Sequence, residues 1–254
     1  MRLAIAGYGK MGKMIQSLAI SEGHEICSII DPFSPDSSVT TKEITEKSVN
    51  GADAIIDFTS PESVYGNIEK YASLSLPAVI GTTGWLERLE DAEKLVRANH
   101  SKLIFSGNFS IGVALFLEIV RKAGKLIDSV EQYDVAVREV HHRAKKDAPS
   151  GTALMTAECL LSEIERKKRI ERYRDGQIAE DAIGITSERV GYVNGIHTVT
   201  IDGPDDTIEI THTARSRQGF ASGAIKAAEW LLDQKEGIYT MNDFISSLIG
   251  GENA

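Results

Sequence analysis

Residues Arg2 to Gly12 read R-L-A-I-A-G-Y-G-K-M-G, an apolar run that passes straight into glycines at 7, 9 and 12. Met14, Ile15, Leu18 and Ala19 follow at helical spacing, so the glycines sit where a strand hands over to a helix. Glycine lets the backbone turn tightly, approach a pyrophosphate and pack helix against strand, while the N–H groups opening the helix point at the bound charge. A second apolar stretch, Glu25 to Ile30, ends in Asp31, about twenty positions beyond Gly12, where a carboxylate accepts ribose hydroxyls. A glycine pattern alone is common; strand, glycines, helix, second strand and acid together read as a dinucleotide-binding unit. Its candidate contacts are Gly7, Tyr8, Gly9, Lys10, Met11, Gly12 and Asp31.

The alternation continues outward from that loop. Ala54 to Phe58 reads as a third strand, Pro61 opens a helix through Ala72, and Pro77 to Ile80 is a fourth strand ending in Gly81-Thr82-Thr83-Gly84. A helix over Trp85 to Arg97 leads to a fifth strand, Lys102 to Phe105, which ends in Ser106-Gly107-Asn108-Phe109-Ser110. Short apolar strands separated by helices imply a parallel, Rossmann-type α/β sheet, whose ligands bind at the carboxyl ends of the strands. Gly81, Thr82, Thr83, Gly107, Asn108 and Phe109 stand at those ends. Thr82, Thr83 and Asn108 are candidate contacts for the nicotinamide half of a cofactor, although turn formation explains them equally well.

Past a helix over Val113 to Lys125 the pattern changes to longer alternating runs. Ser129 to His142 reads as a strand, and Gly195–Asp202 and Thr207–Ala214 bracket Gly203-Pro204-Asp205-Asp206, a hairpin signal. The expectation is a second α+β domain on a mostly antiparallel sheet, crossed by a helix starting near Ser150. Gly219 to Gln234 is an amphipathic helix that could return to the first domain. The boundaries are residues 1–110 completed by 218–254, with 111–217 forming the substrate-binding and oligomerisation domain. Lys167 to Asp175 (K-K-R-I-E-R-Y-R-D) reads as a solvated helix end and connector.

Composition narrows the classes. With 254 residues and a hydrophobic share of 42%, the chain can bury two modest cores, yet no apolar run reaches the length of a membrane helix. The apolar run before Gly7 is too short for a secretory signal core, so residence in the cytoplasm is expected. A net charge of −9 argues against a nucleic-acid surface. Cys27 and Cys159 have no metal-ligand or disulfide spacing, and no other pattern suggests a metal site.

Positive charge is concentrated locally in Glu139 to Ala153, E-V-H-H-R-A-K-K-D-A-P-S-G-T-A. His141 and His142 can hold or pass a proton near neutral pH, and Lys145 attracts carboxylates. Pro149-Ser150-Gly151-Thr152 opens a helix whose first N–H groups can bind anions. The same residues would also serve as an ordinary strand and helix start. His24, His100 and His197 read as surface or turn residues. His212 and Arg217 suit a strand and a helix cap as well as any site.

With both halves read, the chain resembles the 4-hydroxy-tetrahydrodipicolinate (dihydrodipicolinate) reductase family of the diaminopimelate route to lysine. The resemblance spans nearly the whole chain and is carried by Gly7–Gly12, Ala52–Glu62, Gly81–Gly84, Asn108–Ser110, Glu139–Ala153 and Glu209–Ala221. The histidine segment is specific; the glycine loop is shared by many families. The resemblance implies hydride transfer from NADH or NADPH to C4 of a cyclic imine bearing two carboxylates, giving tetrahydrodipicolinate. It matches His141 to the proton donor and Lys145 to the second catalytic position. His142, Ser150, Gly151 and Thr152 match the carboxylate cradle, and a homotetramer joined through the second domain's sheets is implied.

Two departures bear on the cofactor. Lys10 stands where the family commonly has Arg, and Pro32 follows Asp31 where users of NADPH often have a basic residue. Together with the negative Asp31, this tilts the expectation toward NADH. The segment between Asp31 and Asp53 is short against longer relatives. An amino-acid dehydrogenase would share the cofactor loop but gives no reason for H-H-x-x-K beside P-S-G-T. A dinucleotide-sensing module would leave His141 replaceable.

Overall fold

The computed structural model describes residues 1–173 and 176–250. The chain divides into two compact units, Met1–Ile111 with Gln218–Ala254, and Gly112–Arg217.

The first unit runs β1 (Arg2–Ala6), α1 (Lys10–Ser21), β2 (Glu25–Ile30), β3 (Ala54–Asp57), α2 (Pro61–Ser73), β4 (Ala78–Ile80), α3 (Leu89–Ala98) and β5 (Lys102–Phe105). Leu86–Arg88 form a single 3₁₀ turn ahead of α3. α4 (Ile111–Asp128) then opens the second unit with β6 (Asp134–His141), α5 (Gly151–Glu163), β7 (Arg169–Arg172), β8 (Ala182–Arg189), β9 (Ile196–Asp202) and β10 (Thr207–Thr213). The chain returns through α6 (Gln218–Leu232), β11 (Gly237–Thr240) and α7 (Met241–Ile249).

In the first unit the strand order is β11-β5-β4-β3-β1-β2, and every pairing is parallel. Leu3 to Ala6 and Ala54 to Ile56 have no solvent exposure, as expected of central strands covered on both faces. β1 has β2 on one side and β3 on the other, so successive crossovers leave in opposite directions there. That is the topological switch point at which open parallel sheets bind ligands. β11 extends the sheet, and α7 follows it, beyond what periodicity picked out; β11 is only four residues long.

In the second unit the order is β10-β9-β6-β8-β7. β10, β9 and β6 pair antiparallel, whereas β6, β8 and β7 pair parallel, so the sheet is mixed. The parallel half consists of the two strands that alternation did not mark. β7 falls inside the run read as a solvated connector, and it is a correction to that reading. Lys167 at the start of the run is 4% exposed, its Nζ donating to the Glu180 carbonyl at 2.7 Å and pairing with Asp134 at 2.5 Å. Charge hid this strand because Arg169 pairs with Glu171 and Asp181, and Lys167 just ahead of it with Asp134, contacts that a charge run does not announce. Arg174 and Asp175 of the same run lie outside the described residues. One face of the sheet carries Val135, Val137, Ile183, Ile185, Val199 and Ile201 against Phe116 and Val120 of α4 and Ala157 and Leu160 of α5. No helix among the described residues is long and apolar enough to cross a membrane.

Candidate active site

The glycine loop is shaped by three different demands. Gly7 has φ +86°, and a Cβ there would stand 2.3 Å from the Phe58 carbonyl oxygen; one at Gly12 would meet the Gly7 carbonyl at 2.1 Å. Both glycines are therefore required by the packing of the chain on itself. Gly9 differs, since nothing lies within 4 Å of a Cβ built on it. It precedes α1, whose start has no side-chain cap and no acidic residue in its first turn. An uncapped helix start beside an open glycine fits a pyrophosphate.

Asp31 lies at the end of β2. Its carboxylate accepts the backbone N–H groups of Tyr8, Phe33 and Ser34, each at 2.8 Å. Burial works to raise its pKa, but those three donors and the nearby Lys42 outweigh it and hold the carboxyl below the usual range. A cleft of about 500 Å³ runs from Gly7 and Gly9 past Asp31 to Ile44, with Lys42 and Lys70 on its wall. Lys10 and Met11 open α1, Lys10 exposed and Met11 half-buried.

The loops after β4 and β5 meet, a Cβ on Gly107 falling 3.2 Å from the Thr83 methyl. Gly81 is held bare by the Phe58 ring, 2.2 Å from where its Cβ would be. Thr82 is buried and donates to Asp57 at 3.3 Å, Thr83 is exposed, and the Asn108 side chain accepts from the Ser110 N–H at 2.9 Å. Phe109 is 1% exposed and edge-on to Phe58, and Tyr8 is also largely buried while lining the cleft. Asp57, which the sequence reading passed over, is fully buried at the end of β3. It also accepts from Thr59, Asn67 and Tyr71, tying the strand-end loops together, while burial pushes its pKa up.

In the second unit His141 ends β6, and Glu139 precedes it by two residues on the same face of the strand. Glu139 has no exposure. Its Oε2 is in ion-pair contact with His141 Nδ1, and its Oε1 accepts from Arg189 at 2.9 Å and from the Ser150 N–H at 3.2 Å. Strand pairing sets Ser187, Glu139, His197 and His212 in one row across β8, β6, β9 and β10. His197 was expected at a surface or turn; it is 4% exposed, its Nε2 lies 3.1 Å from Ser150 Oγ, and its ring stands 5.2 Å from that of His141. A single polar residue in an alternating strand gave no sign of the partners that bury it. Arg189 was also missed, because β8 itself was not read. His212 stacks beyond His197 at 6.4 Å, Arg217 is exposed, and His24 and His100 lie in the turns before β2 and β5.

Ser150 caps α5, its Oγ accepting from Ala153 N–H at 3.2 Å. Gly151 is exposed at the helix start and Thr152 half-buried. Lys145 pairs with Asp147 at 2.9 Å, and His142 is half-buried. Burial works to raise the Glu139 pKa, but donors from Ser187 and Arg189 and the charge of His141 hold it below the usual range. His141 is pushed below the ordinary imidazole value by burial, aided by Lys145 and Arg189 and opposed by Glu139. Burial and the neighbouring His141 take His197 down to about 4. Glu139, His141 and His197 offer donor atoms within 4.8 Å of one another, a set able to ligate a transition metal. The Arg189 guanidinium on the same carboxylate already supplies the positive charge, which disfavours a metal ion there.

A Rossmann-type unit with a glycine loop, together with a sheet unit bearing buried imidazoles and a carboxylate, defines the class of nicotinamide-dependent oxidoreductases. Residues 1–109 match the family model described as dihydrodipicolinate reductase, N-terminus, and residues 112–245 match its C-terminus counterpart. The 4-hydroxy-tetrahydrodipicolinate reductase of Christiangramia forsetii is 38% identical over 98% of this chain and 99% of its own. That of Lawsonia intracellularis is 37% identical over 96% and 98%. The dipicolinate-bound dihydrodipicolinate reductase of Paenisporosarcina sp. TG-14 superposes with a TM-score of 0.79 at 25% identity, covering 96% of this chain and 98% of that one. The chain belongs to the dihydrodipicolinate reductase family.

Proposed function

We propose that the chain reduces the dihydrodipicolinate-type cyclic imine derived from 4-hydroxy-tetrahydrodipicolinate to tetrahydrodipicolinate, in the diaminopimelate route to lysine. Family membership over the full length supports the reaction. The observation that carries the chemistry is the buried Glu139–His141 pair next to the start of α5.

When bound, the reduced nicotinamide supplies a hydride to ring C4. Gly7 to Gly12 and the start of α1 hold its pyrophosphate, and Asp31 takes the adenosine ribose. The loops Gly81–Thr83 and Gly107–Phe109 border the nicotinamide half. His141 delivers the proton that the ring nitrogen or adjoining carbon then requires. Lys145 binds a carboxylate and stabilises charge in the polarised ring, which requires it to exchange Asp147 for substrate. His142, Ser150, Gly151 and Thr152 form the cradle for the other carboxylate, His142 with its side chain and the last three with the polar groups of the helix start, which Ser150 also caps. The dianionic substrate also solves a difficulty of charge, since two carboxylates beside His141 raise its depressed pKa toward the working range. The row needs no metal ion for these steps.

NADH is placed ahead of NADPH because the Asp31 carboxylate is ionised and faces the ribose cleft. A 2′-phosphate there meets its repulsion, eased by Lys42 and Lys70 on the same wall. The exposed Ile208 on the edge strand β10 is compatible with the homotetramer implied by the family, which light scattering tests. Cytoplasmic residence belongs to the same proposal.

The test follows cofactor absorbance with freshly generated cyclic imine. Wild type is expected to turn over, whereas His141→Ala and Lys145→Ala lose about 10²- to 10⁴-fold in kcat with NADH binding kept. Unchanged turnover in both variants removes their assigned roles.

A further inference from the structure

We infer that Glu139 is the positioning residue of this site, a buried carboxylate that fixes which nitrogen of His141 handles the proton. The inference rests on the reductase reading for its kinetic consequence, though not for its geometry.

Four groups converge on this one side chain. Ser187, Arg189 and the Ser150 N–H all donate to it, and His141 Nδ1 meets its remaining oxygen. A carboxylate has lone pairs for all of these and no proton of its own, so the only compatible imidazole carries its hydrogen on Nδ1. The other nitrogen, Nε2, is directed at Gly195, where a Cβ would stand 2.9 Å away. Gly195 thus leaves uncovered the one nitrogen that Glu139 does not occupy. Nε2 is the atom that exchanges a proton with substrate.

The arrangement also couples the proton donor to the anion cradle. Through Oε1 the same carboxylate holds the Ser150 N–H at the start of α5, so His141 and that helix end are registered by one group. Arg189 bridges it to the Asp147 carbonyl at 2.5 Å, on the loop that carries Lys145. With the carboxylate ionised, the imidazolium of His141 is stabilised against burial and against the cations Lys145 and Arg189. Removing that charge while keeping the shape should therefore lower the His141 pKa further.

Glu139→Gln tests this. The amide brings two N–H groups among four donors, so either His141 turns or its tautomer changes. The expected result is a kcat loss of about 100-fold or more with KM for both substrates changed less than about threefold. As the proton donor must be charged, activity falls as pH rises through its pKa. The alkaline limb of the kcat profile is thus expected to move to lower pH by about one unit. A merely structural role would lower kcat equally at every pH. An unchanged alkaline limb, or kcat within about threefold of wild type, overturns the inference. Imidazole ¹⁵N spectra of the wild type provide a second readout that survives misfolding of the variant. His141 is expected as the Nδ1–H tautomer when neutral, and a dominant Nε2–H form sinks the inference. If wild type fails to reduce the imine, the reductase reading falls while the tautomer measurement still decides the role of Glu139.

Discussion

The two halves of the proposed machinery are built from opposite materials. The proposed nucleotide loop is made of backbone, with Gly7 and Gly12 required because a side chain would strike Phe58 or Gly7, Gly9 left open, and a helix start left uncapped. The histidine site is made of side chains, with Glu139, His141 and His197 on two strands held by Ser150 and Arg189 from elsewhere. A backbone site needs small residues at fixed spacing in one segment. A side-chain site needs partners that only strand pairing brings together.

Within the loop, the contrast predicts that glycines fail in different ways. Gly7→Ala combines a positive φ with a 2.3 Å approach to the Phe58 oxygen, and should cost roughly 3 kcal/mol or more of stability, read by denaturant unfolding. Gly9→Ala meets no protein atom, so its stability should stay within about 1 kcal/mol of wild type while the Kd for NADH rises at least about tenfold. If Gly9→Ala binds NADH normally, the loop is not the pyrophosphate cradle.

Legibility followed the same division. The run from Arg2 to Asp31 could be read outright, because each demand on it is local: β1 and β2 have the read limits, and α1 follows the glycines. The segment from His141 to Thr152 was equally visible as chemistry. Its supports were not. In the sequence Glu139 is only the first letter of a motif, His197 reads as a surface or turn residue, and Arg189 carries no signal of its own. Each acquires meaning through a register pair, Glu139 with Ser187 and His197, and His141 with Arg189. Burial of a polar residue is a property of the pairing, and one strand's alternation does not contain it. The charge of Lys167 misled for the same reason.

Buried imidazoles give the second unit a pH dependence in the range just below neutrality. His197 has a pKa of about 4 in the fold against 6.5 for an ordinary imidazole, so between those values the unfolded chain binds the proton that the folded chain refuses. Stability is then fully present above about pH 6.5 and is lost as pH falls toward 4, by at most on the order of 3 kcal/mol. Denaturant midpoints between pH 7 and 4.5 check it. His197→Asn should flatten the slope, and an unaltered slope assigns it to other groups.

The smallest effect concerns the wall of the nucleotide cleft, where side chains rather than glycines set the outcome. Lys42 donates to the Ser34 carbonyl at 2.8 Å and lies near the Asp31 carboxylate, while Lys70 projects from α2 into the same cleft. Both are solvent-exposed, so each contributes no more than a screened surface pair would to a 2′-phosphate. Replacing either by Ala should lower kcat/KM for NADPH about two- to fivefold and leave NADH within about twofold. Wild type should still favour NADH, because Asp31 remains ionised whichever lysine is present. A reversed ratio that persists in both lysine variants would mean that three backbone N–H groups screen Asp31 so fully that its charge no longer discriminates. The adenosine end would then owe its selectivity to the same backbone that shapes the loop.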